Sequence, residues 1–133
     1  MTAKMVYIAW SPRYSVNHAL LDEQHQVVFD TINELFEAIQ AKKGEAVLLP
    51  IFRTLVKYTQ THFRDEEGII TAVKYPALRE HLIEHAQMVN KTKMYYQEFK
   101  DGVYDSTQML KFLKDWWVRH ITESDMKFAR LLG

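Results

Sequence analysis

His62 and Glu66 stand four residues apart, and so do His81 and His85. That spacing puts both members of a pair on one face of a helix, within reach of a single centre. His25 and His120 add two more imidazoles, and Asp125 follows His120 by five residues. Five residues turn about 140° around an ideal helix, so these two side chains converge only if the helix ends or bulges between them. The spacing therefore predicts a break, a π-turn or a change of direction near Ile121–Ser124.

Five of the six histidines (His25, His62, His81, His85 and His120) fall on the apolar seams of the helices set out below, and so does Glu66. A single buried histidine is ordinarily a hydrogen-bonded core residue. Five on converging seams have no packing rationale, because histidine is a poor helix former with a polar ring. An unpaired carboxylate among apolar side chains is costly or stays protonated. Imidazoles and carboxylates without sulfur suit iron, manganese, zinc or copper. With Asp125, whose alternative is an ordinary surface acid, the set reaches seven, too many for one zinc, so it suits two metals. Suppose Glu66 and Asp125 each bridge the pair and a solvent oxygen bridges as oxide or hydroxide. The five histidines then split three and two, leaving one metal six-coordinate and the other five-coordinate with an open position. Two carboxylates and a hydroxide nearly cancel the charge of two divalent ions.

Four helices must position these residues. The first reads from about Leu20 to Lys42, with Leu21, His25, Val28, Ile32, Leu35 and Ile39 inward and Gly44 closing it. The second reads from Glu45 to Ile70, with Leu48, Phe52, Leu55, Thr59, His62, Glu66 and Ile69 inward and Pro50 near the first turn. The third begins near Pro76 and ends near Asp101 before Gly102, with Leu78, His81, His85, Met88, Thr92, Tyr95 and Phe99 inward. The fourth starts after Asp105 or Ser106, with Leu110, Leu113, Trp117 and His120 inward. A tail with Met126, Phe128, Leu131 and Leu132 reads as a short fifth helix. Residues 1–18 read as an irregular arm in which Pro12 bars regular structure, anchored by Trp10 and Tyr14, with His18 at the surface. The short connections predict an all-α, antiparallel up-down-up-down four-helix bundle, with an N-terminal arm and a short C-terminal helix, forming one domain over residues 1–133.

Composition narrows the function classes. The chain is 47% apolar, enough for one core, and has only four glycines and three prolines, which argues against a many-stranded sheet. Seventeen basic and seventeen acidic residues cancel, which gives no reason to expect nucleic acid or an anionic membrane as partner. The absence of cysteine excludes disulfides, zinc-thiolate sites and iron–sulfur clusters. No run approaches the ~20 apolar residues of a membrane span, so a cytoplasmic protein without membrane insertion is expected. Neutral charge and the lack of an apolar surface stripe favour a monomer.

The chain resembles the bacterial hemerythrins over essentially its full length. The matching pieces are Trp10 with Tyr14-Ser15-Val16, Asp22-Glu23-Gln24-His25, His62 to Glu67, Tyr75-Pro76, His81 with His85, and His120-Ile121 followed by Asp125. The resemblance implies two iron ions per chain. His81, His85 and His120 would hold the six-coordinate iron, His25 and His62 the five-coordinate one, and Glu66 and Asp125 would bridge. It implies reversible dioxygen binding at the open iron rather than enzyme catalysis, beside an apolar oxygen pocket of Phe63, Trp116, Trp117 and Ile121. Two residues depart from the family pattern: Asn17 stands where glycine is frequent, and Trp117 where leucine is common. Asparagine tolerates positive φ, so the turn survives. The Trp117 indole either narrows the pocket or simply packs between helices. Glu67 points about 100° from Glu66 and reads as a surface acid or one behind the ligands.

Other functions remain open at this point. A ferritin-like di-iron oxidase uses Glu-x-x-His pairs, and this chain has none. Oxygen sensing through a partner, catalytic handling of nitric oxide or peroxide at the same metals, and service to an unidentified oxygen-consuming or redox partner share the same ligands.

Overall fold

A computed structural model of the chain describes residues 6–130. It contains four long helices: α1 (Ala19–Gln40), α2 (Glu45–Ala72), α3 (Leu78–Lys100) and α4 (Ser106–Arg119). A π-helical segment over His120–Asp125 follows α4 directly, and α5 (Met126–Ala129) follows that. There is no strand among the described residues. Leu131 and Leu132, expected in the tail, lie outside them.

Contacts fix the directions. Gln24, early in α1, meets Asp65, late in α2. Phe52, early in α2, packs on Phe99, late in α3, while Phe63, late in α2, stacks on His85, early in α3. His85 also meets His120 just beyond α4, and Trp117, late in α4, faces His25 in α1. Each helix therefore runs against its neighbours, as expected of an up-down-up-down bundle. Val28, Ile32, Leu35, Leu55, Leu113 and Phe128 are among the side chains fully buried between the helices, each contributing about 1.5–3 kcal/mol of hydrophobic stabilisation.

Several local expectations need correction. Pro12 opens a 3-10 turn (Pro12–Tyr14) instead of barring regular structure, because proline's fixed φ suits a first helical position. His18 caps α1: its Nδ1 accepts the Leu21 N–H at 3.3 Å. Pro50 is the sixth residue of α2 and so lies in its second turn. α2 continues to Ala72, and Ile70, not Ile69, is the fully buried residue of its last turns. α3 begins at Leu78, two residues after Pro76. Asn17 has φ 56°, the left-handed turn its side chain tolerates.

The arm is held by polar side chains of α1 as well as by its aromatics. Asp22 accepts the Ser15 hydroxyl at 2.6 Å and the Val16 N–H at 2.8 Å. Asn33 Oδ1 accepts the N–H groups of Tyr7 and Ile8, and its Nδ2 donates to the Ile8 carbonyl at 2.7 Å. Ile8, Tyr14 and Val16 are buried, and Trp10 packs edge-on against Phe29.

Candidate metal centre

The inward seams of α1, α2 and α3 meet the π segment at one level of the bundle. His25, His62, Glu66, His81, His85, His120 and Asp125 are all buried there. A helix wound wider than α brings residues five apart onto one side, and so the π segment turns both His120 and Asp125 inward. The five-residue spacing required some such device.

The donor atoms divide into two groups. Oε1 of Glu66 faces Nε2 of His81 at 2.8 Å, of His85 at 3.1 Å and of His120 at 3.6 Å. Its other oxygen, Oε2, faces Nε2 of His62 at 3.2 Å and of His25 at 3.7 Å. Asp125 divides in the same way: Oδ1 lies 3.0 Å from both His81 and His120, and Oδ2 lies 3.2 Å from His25. Single donor atoms of Glu66, His81, His85, His120 and Asp125 all fall within 4.8 Å of one another, and so do those of His25, His62 and Glu66. Three imidazoles thus surround one point and two another, with a carboxylate oxygen of each acid turned to each.

These atoms are close but mostly not hydrogen-bonded. Both nitrogens of His25, Nε2 of His62, Oε2 of Glu66 and both oxygens of Asp125 are buried without a hydrogen-bond partner among the described residues. Stranded lone pairs in a dry core are unfavourable, and a cation at their common focus removes the penalty. The residues present therefore fit a pair of metal ions.

In the metal-free chain the charges compensate one another. Burial alone would lower the pKa of His25 and His81, but the close carboxylates of Asp125 and Glu66 outweigh it and raise both to about 9. Burial also opposes the His120 cation, yet Asp125, Glu66 and Glu84 hold it well above the ordinary value. Burial lowers His62, which has fewer compensating contacts. Burial opposes ionisation of Glu66, and the imidazoles packed around it, His120 foremost, hold it well below the carboxylate range. Burial and the Glu66 charge push Asp125 up, but His120 and His25 bring it below its ordinary value.

Gln24 and Glu84, whose partners the sequence does not reveal, complete the arrangement together with Glu67. Gln24 accepts the His62 Nδ1 proton at 2.7 Å, and its own amide donates to Asp65 at 2.8 Å. Glu84 accepts the His120 Nδ1 proton at 2.7 Å and the Ser124 hydroxyl at 2.9 Å. Glu67, half-buried, accepts the His85 Nδ1 proton at 2.9 Å. Around the cluster, Phe63 lies flat on His85, and Trp117 stands 5.7 Å from the His62 ring and 6.3 Å from that of His25. Trp116 is half-buried and stacks on the outer side of His120, and Ile121 is fully buried.

An interior cluster of nitrogen and oxygen donors inside a helical bundle defines a metal-binding four-helix protein. The model of the hemerythrin HHE cation binding domain matches residues 16–132, and the chain belongs to the hemerythrin family. It is 26% identical to the bacteriohemerythrin of Pseudomonas aeruginosa, over 94% of this chain and 81% of that one. It is 25% identical to the bacteriohemerythrin of Methylococcus capsulatus, over 97% and 99%, and 29% identical to a hemerythrin of Sipunculus nudus, over 92% of each. A crystal structure of wild-type hemerythrin superposes with a TM-score of 0.86 at 25% identity, covering 96% of this chain and 98% of that one. The His, Glu and Asp cluster fits a di-iron site, and no helix among the described residues is long and apolar enough to cross a membrane.

Proposed function

We propose that the chain binds dioxygen reversibly at two irons bridged by Glu66 and Asp125. The observation that carries this reading is the division of each carboxylate, with one oxygen toward the three-imidazole group and the other toward the two-imidazole group. His81, His85 and His120 would complete one iron, and His25 and His62 the other, which keeps an open position. Two ferrous ions there would supply the two electrons that reversible dioxygen binding needs.

The chain's own residues do the rest. Five neutral imidazoles and only two carboxylates give a less anionic donor set than a carboxylate-rich site, and stabilise highly oxidised iron poorly. That favours return of the ligand over its cleavage. Phe63 and Trp117 stand against the imidazoles of the open side and keep water away. A dry wall disfavours loss of a charged product, and hence permanent oxidation. Trp116 and Ile121 extend that wall behind His120.

The test is anaerobic reconstitution with ferrous iron, followed by oxygen and its removal. Two irons per chain, with colour that appears and then bleaches, support the reading. Irreversible bleaching with a product would replace carriage by oxidation. A colourless protein with one zinc would overturn it.

A further inference from the structure

The hydrogen bonds behind the imidazoles are unequal. Each ring turns Nε2 toward the bridging carboxylates, which leaves Nδ1 to face the protein. In the three-imidazole half, Nδ1 of His85 and Nδ1 of His120 both meet carboxylates, Glu67 at 2.9 Å and Glu84 at 2.7 Å. In the two-imidazole half, Nδ1 of His62 meets the neutral amide oxygen of Gln24 at 2.7 Å, while Nδ1 of His25 is buried without a partner among the described residues. The Gln24 orientation is fixed, because its NH2 donates to Asp65 at 2.8 Å. Glu84 is fixed too, by the Ser124 hydroxyl, and its only ion-pair neighbour among the described residues is His120.

A carboxylate that accepts an Nδ1 proton draws that proton toward itself and leaves more electron density on Nε2, so the ring becomes a stronger ligand. A neutral amide does this less, and an unpartnered Nδ1 not at all. We propose that Glu67 and Glu84 are positioning residues that make the three-imidazole half the tighter cation site. The halves then load in order, His81, His85 and His120 first and His25 and His62 second, and the second cation is the exchangeable one. This rests on the two-metal reading above. The extra imidazole favours the same order, so the experiment must isolate the carboxylate charge.

Full-chain protein loaded with two cobalt(II) ions is titrated with a chelator of known affinity, while visible absorption and bound metal are followed. The wild type should release its ions in two separated steps. Glu84→Gln keeps an acceptor oxygen for His120 and for Ser124 but removes the charge. It should weaken the tight step about 10-fold and leave the other within about twofold. Glu67→Gln should act in the same direction, and Gln24→Ala should weaken only the loose step. If Glu84→Gln matches the wild type, or loosens both steps equally, Glu84 merely ties α3 to the π segment and the proposal fails. Two unseparated steps in the wild type would also overturn it. A wild type that never holds two cobalt ions would sink the two-metal reading itself, and this proposal with it.

Discussion

The Phe63 ring lies face to face with the His85 imidazole, with centroids 3.9 Å apart and planes 6° from parallel. Phe63 also lines a surface groove of about 470 Å³ between α2 and α3, together with Leu82, His85 and Val89. The ring therefore packs between that groove and one face of the His85 imidazole. Phe63→Ala should cost about 3–5 kcal/mol of stability and speed the loss of metal to a chelator. Urea denaturation and the rate of metal loss check both parts; an unchanged rate would show that the ring packs without covering.

Trp117 is fully buried against Phe63 and the two-imidazole half, and its indole N–H has no partner among the described residues. Trp117→Leu removes a large ring but also removes that stranded donor. The net loss of stability should be about 1–2 kcal/mol, less than an ordinary core truncation. Oxygen exchange or autoxidation should become faster. Stopped-flow mixing reads the exchange, and rates equal to those of the wild type would leave Trp117 as packing alone.

His62→Ala and Glu66→Ala should each abolish two-metal assembly. His62 is one of only two imidazoles in its group, and Glu66 turns one carboxylate oxygen to each group. Elemental analysis after reconstitution decides the matter, since two irons per chain in either variant would contradict the arrangement.

The metal-free chain should respond to pH with a definite sign. His25 and His81 are raised from 6.5 to about 9 in the folded state. Their protonation stabilises the fold fully below about pH 6.5, and that contribution is lost as the pH climbs through about 9. The lowered carboxyls of Glu66 and Asp125 act oppositely: their contribution is present above the ordinary carboxylate range and lost as the pH falls. The urea midpoint of metal-free protein should therefore fall between pH 6.5 and pH 9, and bound metal, which replaces those protons, should flatten the curve. A metal-free midpoint that rises over this window would reverse the assignment of the charges.

Much of this arrangement was legible in the sequence because polar residues stand on apolar seams, where helical periodicity exposes them. His25, His62, Glu66, His81, His85 and His120 were visible for that reason. The π segment was visible as a contradiction, since His120 and Asp125 could not both face inward on an ordinary helix. The roles of Gln24 and Glu84 behind the imidazoles were not visible. Each immediately precedes a seam histidine, so it sits about 100° round the helix, where any solvated residue sits. Each finds its imidazole on another helix, 38 and 36 residues away in sequence. His18 escaped notice as a cap because the usual capping side chains are Ser, Thr, Asp and Asn. The choice between Ile69 and Ile70 turned on the slow drift between the helix period and a seven-residue repeat.

The π winding over His120–Asp125 also makes this stretch a natural reporter. Wider winding is a minor conformation of polypeptide, sustained where a side chain must point somewhere α geometry forbids. Here that side chain is Asp125, and a cation bound by the cluster would reward its inward aim. Deuterium uptake at the backbone amides of residues 121–126 should therefore slow sharply on metal loading, while amides in the middle of α2 change little. Occupancy of the centre could then be followed in colourless, spectroscopically silent forms of the protein.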